Sequence, residues 1–203
     1  MEFRKVIEGR RSIRQFLPDP VPREDILDML RLATQAASAS NRQMWRFYVV
    51  TDGDKIAAMR DAVVSETARV RSLAGKPAET DPFAVVFAGA PVTIAVACAA
   101  YASRTRAILE QAGLDKEEVA SRIQRPDIQS VAAAIQILLC AAYEKGYGTC
   151  WMSAPMIARP QIEAVLGVPE GEALCALVAL GRPDGLPPKT PRRPVEEVTR
   201  FID

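Results

Sequence analysis

Near its N-terminus the chain reads Arg10-Arg11-Ser12-Ile13-Arg14, which places three guanidinium groups and a hydroxyl within five residues. Guanidinium groups match the geometry of phosphate oxygens and form strong charge-assisted hydrogen bonds with them. Farther along, Ser38-Ala39-Ser40-Asn41-Arg42-Gln43 brings hydroxyl and amide groups close to an apolar segment that begins at Trp45. Such groups can bind the edge of a planar ring that presents donors and acceptors in fixed positions. A phosphate site and a ring-edge site together indicate a mononucleotide such as FMN.

Each of these polar segments also has a purely structural explanation. Arginines that follow a short helix can form a solvated basic face, because runs of surface charge are common. The segment 38–43 can be a polar turn that caps the preceding helix, a position that Asn and Ser favour. A turn can cap a helix and contact a ligand at the same time, so the second explanation does not exclude binding.

Four segments of the chain resemble, in the same order, those of the FMN-dependent nitroreductases. They are Arg10-Arg11-Ser12-Ile13-Arg14-Gln15-Phe16, Asn41-Arg42-Gln43-Met44-Trp45-Arg46-Phe47, Gly146-Tyr147-Gly148-Thr149-Cys150-Trp151, and Gly181-Arg182-Pro183 followed by Arg192-Arg193-Pro194-Val195-Glu196-Glu197-Val198. The resemblance therefore runs over nearly the whole chain. It implies an α+β fold, a three-layer sandwich whose central, mostly antiparallel sheet is flanked by helices.

The resemblance also implies which residues bind the cofactor. Arg10 and Ser12 are expected at the phosphate and ribityl end, and Arg14 near flavin N1 and O2, where a cation stabilises the charge that reduction brings. Backbone N–H groups that follow Trp151 are expected to face N5. Of the two C-terminal arginines, either can be the one that binds the phosphate. The predicted cofactor-binding residues are Arg10, Arg11, Ser12, Arg14, Ser38, Ala39, Ser40, Asn41, Gln43, Met152, Ser153, Ala154, Arg192 and Arg193.

A homodimer is expected on two grounds. In relatives the segment equivalent to 38–43 often serves the flavin bound mainly by the other subunit. In addition, Val131 to Ala142 is apolar nearly all round, so one face can meet the sheet while the rest needs a second surface. The proline-rich segment Pro187 to Pro191 can then reach across the partner and carry Arg192 to its site.

Length and composition indicate one domain over residues 1–203, with a lid insertion at 101–125 and a C-terminal arm at 187–203. With a net charge of +1, the protein as a whole is not expected to be attracted electrostatically to nucleic acid or to an anionic membrane. The absence of His excludes a Ser-His-Asp triad and His-based metal sites, and no metal is expected. Four cysteines without a Cys-x-x-Cys pair are expected as buried, reduced thiols, which points to the cytoplasm.

Hydrophobic periodicity predicts most of the helices. Three or four strands are expected in all, and the pattern locates three of them. Helices are predicted from Pro22, over Asp54–Leu73, over Ile128–Lys145 and over Pro160–Leu166, and strands over Trp45–Val50, Val92–Cys98 and Ala173–Leu180. Trp45, Trp151 and Ile137 are expected in the core. Cys150 is interpreted as an inert thiol, because the chain has no His to act as its base.

The function that the resemblance implies is that of an oxidoreductase. NADH or NADPH would reduce FMN by hydride transfer to N5, and a nitroaromatic, quinone or enone would then accept the hydride, with no catalytic side chain required. Other reactions of the same fold stay open, namely reductive dehalogenation, flavin fragmentation and deazaflavin-linked reduction. A flavin-binding protein without turnover is the alternative from a different class.

Overall fold

Four strands form one antiparallel sheet in the order β1-β2-β4-β3 in a computed structural model that describes residues 2–202. The strands are β1 (Trp45–Val50), β2 (Val92–Ala99), β3 (Gly148–Met152) and β4 (Glu172–Gly181). The two central strands, β2 and β4, are apolar and almost fully buried, as expected when both faces of a sheet are covered. The strands β1 and β3 therefore form opposite edges of the sheet.

Seven helices surround this sheet within residues 2–202. They are α1 (Phe3–Gly9), α2 (Arg23–Ala33), α3 (Gly53–Leu73), α4 (Arg104–Gln111), α5 (Lys116–Arg122), α6 (Pro126–Glu144) and α7 (Arg159–Leu166). Short 3₁₀ segments lie at Ala39–Asn41, Pro82–Gly89, Ala154–Ala158 and Val195–Val198.

Each face of the sheet carries its own hydrophobic core. On one face α2 and α6 pack against the strands, and Met29, Leu138 and Leu180 are fully buried. On the other face α3, α7 and the segment Pro82–Gly89 bury a second set that includes Met59 and Ile162. Burying a side chain of this size contributes about 1.5–3 kcal/mol relative to leaving it in water. The predicted α+β sandwich with a central antiparallel sheet is confirmed.

The helix α6 is the most apolar helix of the fold. Residues 116–144 are long and apolar enough by composition to cross a membrane. However, α6 buries eight side chains, Leu138 and Leu139 among them, and packs on α2 and the sheet. A long apolar helix that is buried along one face is what the core of this fold requires.

Most predicted elements agree with the structure to within about two residues, and β1 has the predicted bounds. Three expectations are wrong. Trp151 is 39% exposed because it lies on the edge strand β3, whereas Trp45 is buried as expected. Ile137 is only half-buried, because it falls on the side of α6 that faces away from the two cores. Cys140 and Cys175 are likewise half-buried, although all four cysteines are free.

The segment Arg10–Phe16 meets the edge strand β3 at one isolated bridge and then passes to Pro183, just beyond β4. Ser12 pairs in parallel with Thr149, and the Ile13 N–H donates to the Thr149 carbonyl at 2.9 Å. Ile13 is buried against Gly148, where an added Cβ would lie 2.6 Å from Ile13 Cγ1. Only glycine at position 148 therefore lets this segment lie so close to the strand.

We predict that Gly148→Ala lowers the free energy of unfolding by about 1–3 kcal/mol, since overpacking a filled site forces its neighbours to move. Urea denaturation at fixed protein concentration measures the change. Gly53→Ala is the matched control, because a Cβ at Gly53 meets nothing within 4 Å. Equal stability of the two variants would show that the contact between Ile13 and Gly148 is loose.

Candidate functional site

Ser12 and Arg14 line a cavity of about 630 Å³ beside the β3 edge, which we name the Arg14 cavity. Its other walls come from the segment Pro82–Gly89 and from residues 184–187. The Arg14 guanidinium carbon lies 5.0 Å from the centroid of the Phe83 ring, a cation–π contact. A volume in this range holds small-molecule ligands and cofactors in other proteins.

Arg10 and Arg11 line a smaller, adjoining cavity of about 280 Å³, which shares Ile13 and Leu186 with the Arg14 cavity. Arg11 Nη1 donates to the Glu8 carbonyl at 2.9 Å and also to the Gly9 carbonyl, so this side chain caps the C-terminal end of α1. Arg10, by contrast, forms no side-chain hydrogen bond or ion pair with any residue of the range 2–202. Arg10 therefore has its whole guanidinium group free to bind an anion, whereas in Arg11 Nη1 is occupied and the buried Nε has no hydrogen-bond partner in the described part of the chain.

The turn 38–43 contains unusual backbone geometry. Ser40, Asn41 and Gln43 have φ values of 52°, 51° and 49°, in the left-handed region. Asn tolerates this region, but for Ser and Gln it costs on the order of 1–3 kcal/mol each, and such strain concentrates at functional sites. The Ser38 hydroxyl accepts from the Gln43 N–H at 3.1 Å, and Gln43 Nε2 donates to Asn41 Oδ1 at 3.2 Å. These bonds hold the turn in its strained shape.

Ser130 ties this turn to α6, and sequence reasoning missed it. Its hydroxyl is buried, donates to the Pro126 carbonyl at 2.6 Å and accepts from the Ala39 N–H at 3.0 Å. Buried polar groups are almost always hydrogen-bonded, so a lone serine on a buried apolar helix face requires a partner. That lone serine was the signal in the sequence, but the sequence did not reveal its partner.

The end of β3 supplies the third group of predicted residues. Met152 is buried as the last residue of the strand, whereas Ser153 and Ala154 are exposed at the start of the next 3₁₀ segment. Burial raises the pKa of the Cys150 thiol, and the charge of Arg14 offsets part of that rise. A buried thiol with a raised pKa stays protonated, which agrees with its interpretation as inert.

A charged network fixes the loop that leads into β3. The Tyr147 hydroxyl donates to Asp25 Oδ2 at 2.6 Å, and Lys145 Nζ lies 3.1 Å from Asp25 Oδ1 and 3.0 Å from Asp28 Oδ2. The hydrogen bond from Tyr147, followed by that from Lys145, lowers the pKa of Asp25. The network joins α2 to the start of β3, and so positions the strand beside which Ser12 and Arg14 lie.

Two groups of predicted residues lie far apart within one chain. The turn 38–43 precedes β1, whereas the segment 10–14 lies beyond β3, so roughly four strand spacings, or about 19 Å, separate them. Along α6 the turn is held at Ser130, and Gly9 contacts Tyr143, a separation of roughly 20 Å at 1.5 Å per residue. A single chain therefore does not bring these two groups to one ligand.

Residues 184–202, which include the C-terminal arm from residue 187 onward, are exposed and carry both predicted arginines. Arg192 Nη1 donates to Thr190 Oγ1 at 2.9 Å, and no side-chain partner of Arg193 is found in the range 2–202. The arm also exposes Val198, Phe201 and Ile202, at 65%, 87% and 90% of their surface. Neither arginine reaches the segment 10–14 of its own chain through a hydrogen bond.

The four-stranded antiparallel sheet between two helical layers places this chain among the proteins with a nitroreductase-like fold. The model of the Nitroreductase family matches residues 7–182, so this chain belongs to that family. The resemblance expected from the four sequence segments is confirmed.

Known relatives share the whole architecture. A BluB-like flavoprotein from Clostridium difficile 630 superposes with a TM-score of 0.88 at 30% identity, covering 100% of both chains. A putative NAD(P)H nitroreductase from Bacillus subtilis is 28% identical over 206 residues, which are 99% of this chain and 93% of that protein. A 5,6-dimethylbenzimidazole synthase from Rhodospirillum rubrum is 28% identical, with coverage of 88% and 80%. Homologues in the family are oxidoreductases, which supports an enzymatic role for this chain.

We predict that Ser130→Ala speeds hydrogen exchange in peptides covering residues 38–44, by roughly two- to tenfold, because a net hydrogen bond is worth about 0.5–1.5 kcal/mol. Exchange mass spectrometry measures the rates. Ser121→Ala is the matched control, since the Ser121 hydroxyl donates only to the Glu118 carbonyl within α5. Unchanged exchange in Ser130→Ala would show that the turn is held without this contact.

Proposed function

We propose that this chain is an FMN-dependent oxidoreductase that takes a hydride from NADH or NADPH and passes it to a small oxidised acceptor. The observation that carries the proposal is the segment 10–14, which lies beside β3 with Ser12 and Arg14 in one cavity and Arg10 in the next. Relatives named as a flavoprotein and as an NAD(P)H nitroreductase support it. When bound, FMN would supply hydride chemistry at N5.

The residues beside the Arg14 cavity fit FMN in charge and placement. Arg10 and Arg14 form no ion pair with any residue in the range 2–202, so both can meet an anionic ligand. Arg10 and Ser12 would bind the phosphate and ribityl chain, and Arg192 or Arg193 would complete the phosphate site. Arg11 contributes by capping α1 and fixing the start of the segment.

At the ring end Arg14 would lie near N1 and O2, where its charge favours the reduced cofactor. The backbone N–H groups of Met152, Ser153 and Ala154 would face N5. They lie at the far end of β3 from Thr149, whose partner Ser12 is assigned to the phosphate end. Each residue of a strand advances about 3.3 Å, so Ser153 lies roughly 13 Å beyond Thr149. The phosphate and ring ends would thus be spaced along one strand.

The turn residues Ser38, Ala39, Ser40, Asn41 and Gln43 would contact the flavin of a second subunit. The separation of roughly 19 Å within one chain supports this arrangement. We therefore propose a homodimer with a flavin at each end of its interface, and isologous two-fold dimers are the commonest oligomers. The exposed apolar side chains of the arm, such as Phe201, would cover the partner.

No catalytic side chain is needed for this reaction, since water can supply the protons. The acceptor would be a nitroaromatic, a quinone or an enone, and the setting would be the cytoplasm. The chain has no His, and residues 2–202 contain no cluster of Asp, Glu and Cys suited to a metal. We propose no metal, nucleic-acid or membrane partner. The residues 101–125, which form α4 and α5, would act as a lid.

Flavin fragmentation is the second candidate, because the Rhodospirillum rubrum relative is named as a 5,6-dimethylbenzimidazole synthase. The dimethylbenzene ring of that product is also present in FMN. Chromatography after repeated reduction in air distinguishes the two reactions: an oxidoreductase returns its FMN intact, whereas a fragmenting enzyme consumes it.

The proposal is tested by the absorption spectrum of the purified protein and an anaerobic titration with NADH and NADPH. A yellow protein that bleaches with either nucleotide supports it. A flavin that stays oxidised would identify a binding protein without turnover, and a protein that does not bind added FMN would overturn the proposal.

The two-chain site has its own test. Light scattering at micromolar protein concentration should report a dimer when flavin is bound, and a flavin-loaded monomer would overturn the two-chain site.

We predict that Arg10→Ala and Arg192→Ala each raise the dissociation constant of FMN by about tenfold or more, because hydrogen bonds to charged groups are worth about 1.5–3 kcal/mol. Fluorescence titration measures the affinity. Arg200→Ala, on the same exposed arm, is the control. If Arg193→Ala weakens FMN binding and Arg192→Ala does not, Arg193 is the residue that contacts the phosphate. Unchanged FMN affinity in all of these variants would show that the phosphate binds elsewhere.

We predict that Arg14→Ala lowers the two-electron midpoint potential of the flavin by about 30 mV or more, which corresponds to about 1.4 kcal/mol. Arg14 is assigned to the ring end, where negative charge grows only on reduction, so its effect on FMN affinity should be smaller. Arg14→Lys keeps the charge and should retain most of the potential. A wild-type potential in Arg14→Ala, measured by spectroelectrochemistry, would contradict the assignment.

A further inference from the structure

We propose that a second cavity, between the turn 38–43 and the start of α4, binds the carboxylate of an anionic acceptor through Arg42 and Arg104. This inference rests on the proposed function, since it names the class of acceptor. The cavity has a volume of about 480 Å³, and we name it the Arg104 cavity. It is separate from the Arg14 cavity within the chain.

The lining of the Arg104 cavity is polar and contains no acidic side chain. Arg42 and Arg104 both line it, together with residues that carry hydroxyls, Tyr101 and Thr105 among them. Guanidinium groups bind carboxylates in a bidentate manner, and hydroxyls can donate to the remaining oxygen lone pairs. The donor set therefore matches an anion and offers nothing to neutralise a bound cation.

Neither Arg42 nor Arg104 forms an ion pair or a side-chain hydrogen bond with any residue from 2 to 202. Neighbouring arginines of the same insertion do have partners, since Arg106 lies 3.5 Å from Glu110 and Arg122 lies 3.7 Å from Glu118. The Ser103 hydroxyl accepts from the Arg106 N–H at 3.3 Å and so begins α4 directly before Arg104. This cap fixes the start of α4, and with it the backbone of Arg104.

The position of the cavity connects it to the proposed redox site. Ser40 and Asn41 line it, and both belong to the turn that would contact the flavin of the second subunit. An acceptor whose carboxylate is held by Arg42 and Arg104 would therefore extend its other end toward that flavin. The Arg42 N–H donates to the Ala39 carbonyl at 3.1 Å, so the Arg42 backbone belongs to the same hydrogen-bonded turn as Ser40 and Asn41.

Matched substrates test this inference. The ratio of kcat/KM for 4-nitrobenzoate to that for its neutral methyl ester should fall about tenfold in Arg104→Gln and in Arg42→Gln, since each loses a charge-assisted hydrogen bond. Arg106→Gln, which removes a charge two residues along the same helix, should keep the wild-type ratio. An unchanged ratio in both cavity variants, with turnover intact, would overturn the anion site and leave the proposed function standing.

A binding measurement separates failure of the anion site from failure of the proposed function. Titration calorimetry of the oxidised, FMN-loaded protein should show benzoate binding at least about tenfold more tightly than neutral benzamide, with the preference lost in Arg104→Gln. If the wild-type protein prefers benzoate in this way but oxidises neither NADH nor NADPH, the anion site is supported and the oxidoreductase proposal is overturned. Equal, or no, binding of benzoate and benzamide would overturn the anion site.

Discussion

The hydrogen bond from the Ile13 N–H to the Thr149 carbonyl is the contact on which the rest of the site depends. It aligns the segment 10–14 with the edge strand β3, while Ile13 fills the space that Gly148 leaves open. Ile13 then stands between two cavities, with Arg10 and Arg11 on one side and Ser12 and Arg14 on the other. Because burial of Ile13 fixes the register of the segment against β3, this one apolar side chain sets which polar side chains line each cavity.

The strained turn 38–43 is close to an energetic balance in the free chain. Left-handed backbone at Ser40 and Gln43 costs on the order of 1–3 kcal/mol per residue, whereas each intramolecular hydrogen bond returns about 0.5–1.5 kcal/mol. The turn has three bonds that involve the side chains of Ser38, Ser130 and Gln43. Two backbone bonds, from the Asn41 N–H to the Ser38 carbonyl and from the Arg42 N–H to the Ala39 carbonyl, add to them. A ligand that binds only the ordered turn would shift this balance further toward it. The strain therefore makes order in the turn sensitive to binding.

Sequence patterns located the elements whose signals are local. The strand Trp45–Val50 and the helix ending before Gly167 were predictable, because alternation, helical spacing and a glycine stop are visible within a few residues. The strand β3 was not predictable, since it begins at Gly148, and Gly146 and Gly148 together signal a turn. Ser130 and the exposure of Trp151 depend on contacts between distant segments, 91 residues apart for Ser130 and Ala39. The candidate residues came from the family resemblance, but their division between two edges of the sheet required coordinates.

The helix α6 sets the distance between the two groups of candidate residues. Near its N-terminal end Ser130 holds the turn 38–43, and near its C-terminal end Tyr143 packs so closely on α1 that a Cβ at Gly9 would overlap its hydroxyl. Because a buried helix is stiff, the turn 38–43 and the start of the segment 10–14 keep a fixed separation of roughly 20 Å within one chain. In a two-fold dimer each chain would then contribute different halves to two sites. A change at Ser130 should disturb only the half given to the partner, whereas a change at Gly9 should disturb only the half kept by the chain itself.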